Sequence, residues 1–193
     1  MLTLASSSAT RQKMLIDAAI PFEAVPARVD EASLRDALRA EGHRPRAVAD
    51  ALAEMKALRV RRPGLVLGCD QTLDHGGDLL GKPDSPDDAV AQLTRLSGGS
   101  HKLHSAAVLA EDGRPIWRHV GDVTMVMRSA SPAYIQDYVT RNWETIRHSA
   151  GAYTLEGEGA RLFHQVRGDF FTVLGLPLLP LIDILVTRGE ISA

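Results

Sequence analysis

Several residues of this chain could do chemistry together: a carboxylate on a buried strand, two lysines, an arginine behind a run of serines, and a second acidic pair. Asp70 follows the apolar run "GLVLGC" and reads as the carboxyl end of a buried strand, where ligands of open α/β sheets bind. A carboxylate there must be paired, hydrated or metal-bound, because burying it bare is costly. The alternative is an aspartate that starts a turn. Lys56 lies in "AVADALAEMKAL", one turn after Leu52, at the border of an apolar stripe where lysines commonly snorkel to water. Lys82 in "LGKPD" precedes a helix N-terminus whose free N–H groups suit an anion, unless it is simply a surface lysine.

The stretch "LASSSATRQKML" runs from a short strand through a polar turn into a helix, an arrangement that cradles phosphate. Ser6, Ser7 and Ser8 can donate hydrogen bonds there, and Arg11 can fork onto phosphate oxygens. It is not a Walker loop, since G-x-x-x-x-G-K-[ST] is missing. A serine-rich helix cap is the plainer alternative. Asp30 and Glu31 close an extended segment and offer a second carboxylate for a hard cation such as Mg²⁺, or else form a solvated pair before a helix.

The elements that must position these groups can be read from pattern. "LTLA" is a short strand, and Ser8 caps a helix over residues 9–19 with Met14, Leu15, Ala18 and Ala19 as its apolar stripe. "PFEAVPARVDE" is extended; helices follow over residues 33–41 and 46–61. "GLVLGCD" is a buried strand and "GGDLLGKPDS" a turn and loop. Ser85 caps the next helix, with Pro86 at its first position, and "SGG" ends it. Two strands joined by "EDGRP" come next. A helix over residues 132–140, a strand over 161–166 and a helix in "GLPLLPLIDILVTRG" complete the set. Strands and helices intermix throughout, so the expected class is α/β with a mixed sheet.

Composition bounds the function. The 193 residues suffice for one domain, read as two lobes around one active-site cleft. A net charge of −2 gives no support for a nucleic-acid partner held by bulk charge. The single cysteine, Cys69, rules out an internal disulfide. No apolar run approaches the roughly 20 residues that span a bilayer, and the start lacks a signal peptide's basic region, so the protein is expected in the cytoplasm, with no membrane partner. His101 and His104 point to opposite faces of a strand, which argues against a metal pair.

Taken together, "LASSSATRQKML", "VDE", "LAEMKA", "GCDQTL", "LGKP", "LSGGSH", "GAYTLEGEGARLF" and "VLGLPLLPL" resemble the Maf family of nucleoside triphosphate pyrophosphatases, in order and over almost the whole chain. The resemblance implies an elongated α/β fold with a mixed twisted sheet and a central cleft. It implies hydrolysis of a nucleoside triphosphate to monophosphate and pyrophosphate with a divalent cation, Mg²⁺ or Mn²⁺. By position, Asp70 resembles the essential proton acceptor, Glu31 joins it in holding the metal, and Ser8, Arg11, Lys56 and Lys82 grip the triphosphate. Where the common pattern has "A-D-T" and "I-Q-G", this chain has "C-D-Q" and "L-E-G". Gln71 and Glu156 thereby resemble the branch acting on 7-methyl-GTP, as do "VRGDFF" and "GLPLL", and they are expected to read the base. Thr10 stands where the common pattern has arginine and where that branch can carry a bulky aromatic. The alternatives are a dTTP/UTP pyrophosphatase of the same family, or a nucleotide-binding regulator, since Maf proteins are also described as inhibitors of septum formation. A homodimer is left open.

Overall fold

The computed structural model describes residues 1–192. Its strands are β1 (Leu2–Leu4), β2 (Phe22–Ala24), β3 (Leu65–His75), β4 (Asp78–Leu80), β5 (Ser100–Glu111), β6 (Arg114–Met127) and β7 (Phe163–Arg167). The helices are α1 (Ala9–Asp17), α2 (Glu31–Ala40), α3 (Pro45–Arg59), α4 (Pro86–Leu96), α5 (Pro132–Ile146), α6 (Phe170–Val173) and α7 (Leu178–Thr187). The strand order is β2-β1-β3-β5-β6-β7, with β4 pairing β3. β1 runs parallel to β2 and β3, whereas β3–β4 and β6–β7 are antiparallel, so the sheet is mixed as expected. Among the described residues no helix is long and apolar enough to cross a membrane.

The chain divides into two compact units. The first comprises residues 1–71, 104–122 and 169 onward, and the second residues 72–103 and 123–168. In the first, side chains alternate across β3 as a pleated strand requires. Leu65, Leu67 and Cys69 join Leu2, Leu4, Met14, Leu15, Leu176, Leu178, Leu181 and Leu185 in one core, which packs α1 and α7 against the sheet. On the opposite face, Ala49, Ala53 and Ala57 of α3 meet Ala106, Val108 and Ala110 of β5. This stripe of small residues brings α3 close to the strands. At Gly68 a Cβ would lie 2.0 Å from the Ala53 carbonyl oxygen and 2.5 Å from the Ala57 nitrogen. Only glycine fits between β3 and the backbone of α3.

In the second unit, Ala89, Leu93 and Leu96 of α4 and Ile135, Tyr138, Val139 and Ile146 of α5 are buried. Ser85 and Ser131 cap these helices, and each has proline at its start. His101 is buried against the rings of Tyr153 and Phe163, with its Nε2 2.6 Å from the Tyr153 hydroxyl. Its Nδ1 is buried with no hydrogen-bond partner among the described residues.

Three expectations change. The strand carrying Asp70 does not end there but runs on to His75, because Leu73, Asp74 and His75 pair with Leu80, Leu79 and Asp78 of β4 through the Gly76-Gly77 turn. "DLL" is therefore a strand and not a loop, and Asp70 lies mid-strand. The helix expected over residues 132–140 continues to Ile146, whose buried side chain anchors its last turn. The short helix α6 was not expected; Asp169 nucleates it by accepting hydrogen bonds from the Phe171 and Thr172 backbone amides.

Gly68→Ala is expected to destabilise the protein by roughly 3 kcal/mol or more, because the clash is with backbone that cannot turn aside. Denaturant unfolding checks this, and a loss under 1 kcal/mol would refute it. Burial, with a smaller contribution from His75, pushes the His101 imidazole down to about 4 from an ordinary 6.5. The unfolded chain thus takes up a proton near pH 6.5 that the folded chain refuses until about pH 4. Stability is full above pH 6.5 and falls as pH drops toward 4, by about 3 kcal/mol from this group. His101→Gln should flatten the stability curve between pH 6.5 and 5; parallel curves would contradict the assignment.

Candidate active site

The first unit gathers Ser8, Thr10, Arg11, Glu31, Lys56, Asp70 and Gln71. Lys56 is the centre of the arrangement. It lies one turn after Leu52 on the buried face of α3, and its ammonium is 2.7 Å from Asp70 Oδ1 and 2.8 Å from Glu31 Oε1. The Lys56 and Asp70 side chains are only 8% and 6% exposed, whereas Glu31 is 42% exposed. Lys56 therefore does not snorkel to water. Its charge is spent on two carboxylates from different elements, one on a strand and one at the start of α2.

Glu31 is the first residue of α2, and Asp30 caps that helix by accepting from the Ser33 amide. The acidic pair is thus split: Asp30 builds the helix end, and Glu31 faces Lys56. Burial raises the Asp70 carboxyl above the ordinary carboxylate range, and Lys56 and then Arg11 pull it back part of the way. Asp70 Oδ2 is buried with no hydrogen-bond partner among the described residues.

The serine turn is built as a cap and an anchor for Arg11. The Ser8 hydroxyl accepts from the Arg11 amide at 3.4 Å and starts α1. Ser6 is buried, and its hydroxyl accepts from the Ser8 amide and from Arg11 Nη1. Arg11 also donates through Nη1 to the Cys69 carbonyl at 3.1 Å and through Nε to the Gly175 carbonyl at 2.8 Å. Those bonds pin the guanidinium beside Asp70 and leave Nη2 to meet a ligand. Thr10 is half-buried in the first turn of α1.

Gln71 takes the face of β3 opposite Asp70. Its Nε2 shares its two hydrogens among three acceptors, Ser105 Oγ, the Thr172 carbonyl and the Val173 carbonyl. Lys82 and Glu156 belong to the second unit. Lys82 is exposed in the segment between β4 and α4. Glu156 is exposed in a turn two residues before Glu158, which is held by Arg141 and Asn142 and kept down at about 2 by them.

Sequence reading missed Ser105, Asp169 and Thr172, which support Gln71. The available signal was "GDFFTVLG": an aspartate two to three residues ahead of free amides is a helix-cap pattern. Nothing in the string links it to Ser105.

The two carboxylates fit a hard divalent cation. Asp70 Oδ2 lacks a hydrogen-bond partner among the described residues, and oxygen donors of this kind suit Mg²⁺ or Mn²⁺. Among the described residues no group of three or more His, Cys, Asp or Glu side chains converges. The fit is accordingly to an ion that takes one or two carboxylates and completes its shell with water and substrate phosphates.

The family described as Maf-like protein matches residues 1–188. The chain is 54% identical over 193 residues to a nucleoside triphosphate pyrophosphatase of Roseobacter denitrificans, covering 98% of this chain and 97% of the relative. It is 54% identical over 194 residues to one of Ruegeria pomeroyi, covering 99% and 98%. It is 49% identical over 192 residues to a 7-methyl-GTP pyrophosphatase of Mesorhizobium japonicum, covering 98% and 96%. With a match over nearly its whole length, and with a buried carboxylate held by a lysine behind a serine turn, the chain belongs to the Maf-like protein family.

Proposed function

We propose that the protein hydrolyses a nucleoside triphosphate to the monophosphate and pyrophosphate with a divalent cation, and that 7-methyl-GTP is its preferred substrate. The observation that carries the reaction is the buried Asp70 carboxylate between the Lys56 ammonium and the Arg11 guanidinium, with one oxygen lacking a hydrogen-bond partner among the described residues. That the chain is a nucleoside triphosphate pyrophosphatase, a hydrolase, is supported by several curated relatives of that name. The preference for 7-methyl-GTP rests on Gln71 and Glu156 and on one relative that bears this name.

Asp70 and Glu31 would hold the cation, which when bound supplies charge neutralisation on the phosphate oxygens and orients the attacking water. Asp70 accepts the proton of that water. Its raised basicity suits it to this, since a more basic carboxylate is the better proton acceptor at neutral pH. Lys56 favours the ionised form of Asp70 and holds it in place, because its ammonium sits on Oδ1 and leaves Oδ2 for chemistry. Arg11 offers Nη2 to the phosphate chain, held by bonds to Cys69, Gly175 and Ser6 that do not need to form during the reaction. The Ala9 and Thr10 amides at the start of α1 would offer further donors to the phosphates.

The test is a product assay. With Mg²⁺ or Mn²⁺, the protein should release pyrophosphate and little free phosphate, fastest from 7-methyl-GTP among 7-methyl-GTP, GTP, dTTP, UTP and CTP. Asp70→Asn should lower kcat by about 10²- to 10⁴-fold, the usual worth of a general base. Pyrophosphate mainly from dTTP or UTP would keep the reaction and overturn the substrate. Free phosphate instead, or no product from any of them, would overturn the reaction.

A further inference from the structure

Gln71 is bound in a way that leaves its amide one orientation. Nε2 lies 2.9 Å from Ser105 Oγ, 3.0 Å from the Thr172 carbonyl oxygen and 2.9 Å from the Val173 carbonyl oxygen. Ser105 is fully buried, and its hydroxyl hydrogen is already given to the Thr172 carbonyl at 2.7 Å. The serine can therefore only accept from Gln71. The two carbonyls are the last of α6, a helix of four residues; the Thr172 carbonyl also accepts from the Gly175 amide, and the Val173 carbonyl takes its donor from Gln71. Asp169 fixes α6 from its other end through the Phe171 and Thr172 amides and the Thr172 hydroxyl. A Gln71 amide turned over would set its oxygen against two carbonyls and a committed hydroxyl, and would take from the Val173 carbonyl the donor that Gln71 gives it.

We infer that Ser105 and the end of α6 lock Gln71 as a hydrogen-bond acceptor toward the substrate, so that the site selects bases with a ring imino N–H over bases with a lone pair at that position. Guanine, 7-methylguanine, uracil and thymine carry the N–H; adenine and cytosine carry the lone pair. This rests on the pyrophosphatase reading above, in which Gln71 meets the base. A freely rotating glutamine would serve both kinds of edge by turning its amide. The locked one meets a lone pair with its own lone pair, which is the stronger form of rejection because an acceptor that the bound base shields from water is then left unpaired. Ser105 acts through Gln71 and is a positioning residue, not a catalytic one.

The experiment compares kcat/KM for pyrophosphate release from UTP against CTP and from GTP against ATP, each ratio within one preparation so that the folded fraction cancels. The wild type should favour UTP and GTP. Ser105→Ala, which removes both the acceptor and the donor that hold the lock, should shrink both ratios by about fivefold, the usual worth of one neutral hydrogen bond. Ser105→Thr keeps the hydroxyl and should keep the ratios, and Gln71→Met should bring them close to one. A wild type that cleaves CTP and ATP as well as UTP and GTP would overturn the inference alone, as would Ser105→Ala with undiminished ratios. No pyrophosphate from any nucleotide would instead bring down the pyrophosphatase reading, and the inference with it.

Discussion

A lysine ammonium between two carboxylates is the interaction on which the rest of the site depends. Asp70 is almost wholly buried, and an unpaired charge there would cost several kcal/mol or force the group to neutralise. Lys56 offsets part of that penalty from the side of α3, and Glu31 is a second carboxylate on the same ammonium. The arrangement is stable only because both partners are fixed. Lys56 stands on a helix packed tightly through alanines, and Asp70 stands in the middle of a strand that is paired well beyond it. The close approach that Gly68 permits is what brings the lysine stem within reach of the strand.

The pleat of β3 then divides the work. Even-numbered positions face α3, and they carry Gly68 and Asp70. Odd-numbered positions face α1, α6 and α7, and they carry Leu67, Cys69 and Gln71. One strand thus presents a charged group to one layer and an amide to the other. The short turn around α6 ties the two together. Its carbonyls take hydrogen bonds from Gln71, Ser105 and Arg11, so a segment with no reactive group of its own sets the orientation of two side chains that have one. Arg11 is used in the same way: Nε and Nη1 hold the Gly175 and Cys69 carbonyls and the Ser6 hydroxyl, and Nη2 is left over.

Much of this was legible in the string of residues. An apolar stripe placed α1 and marked α3, the Ser85 cap and Pro86 fixed the start of α4, and "EDGRP" marked the β5–β6 turn. These signals are local, because capping, turn chemistry and periodicity act within a few residues. The reading of Lys56 as a border residue was as far as local pattern goes: whether a lysine at a stripe edge reaches water or a carboxylate depends on what lies opposite. The same holds for β4, since "DLL" has no strand pattern of its own and becomes a strand only because β3 offers an edge to pair with.

The sequence by itself determined which chemistry was on hand: the residue types, their order, the family they resemble and the elements most of them sit on. Tertiary structure alone decided which of them meet. It set Lys56 between Glu31 and Asp70, turned Gln71 toward Ser105 and α6, and made Ser6 an anchor for Arg11. The reason is that an ion pair or a locked amide is a relation between residues 14, 34 or 101 positions apart, closed by the packing of helices on a sheet, and no short window of sequence contains it.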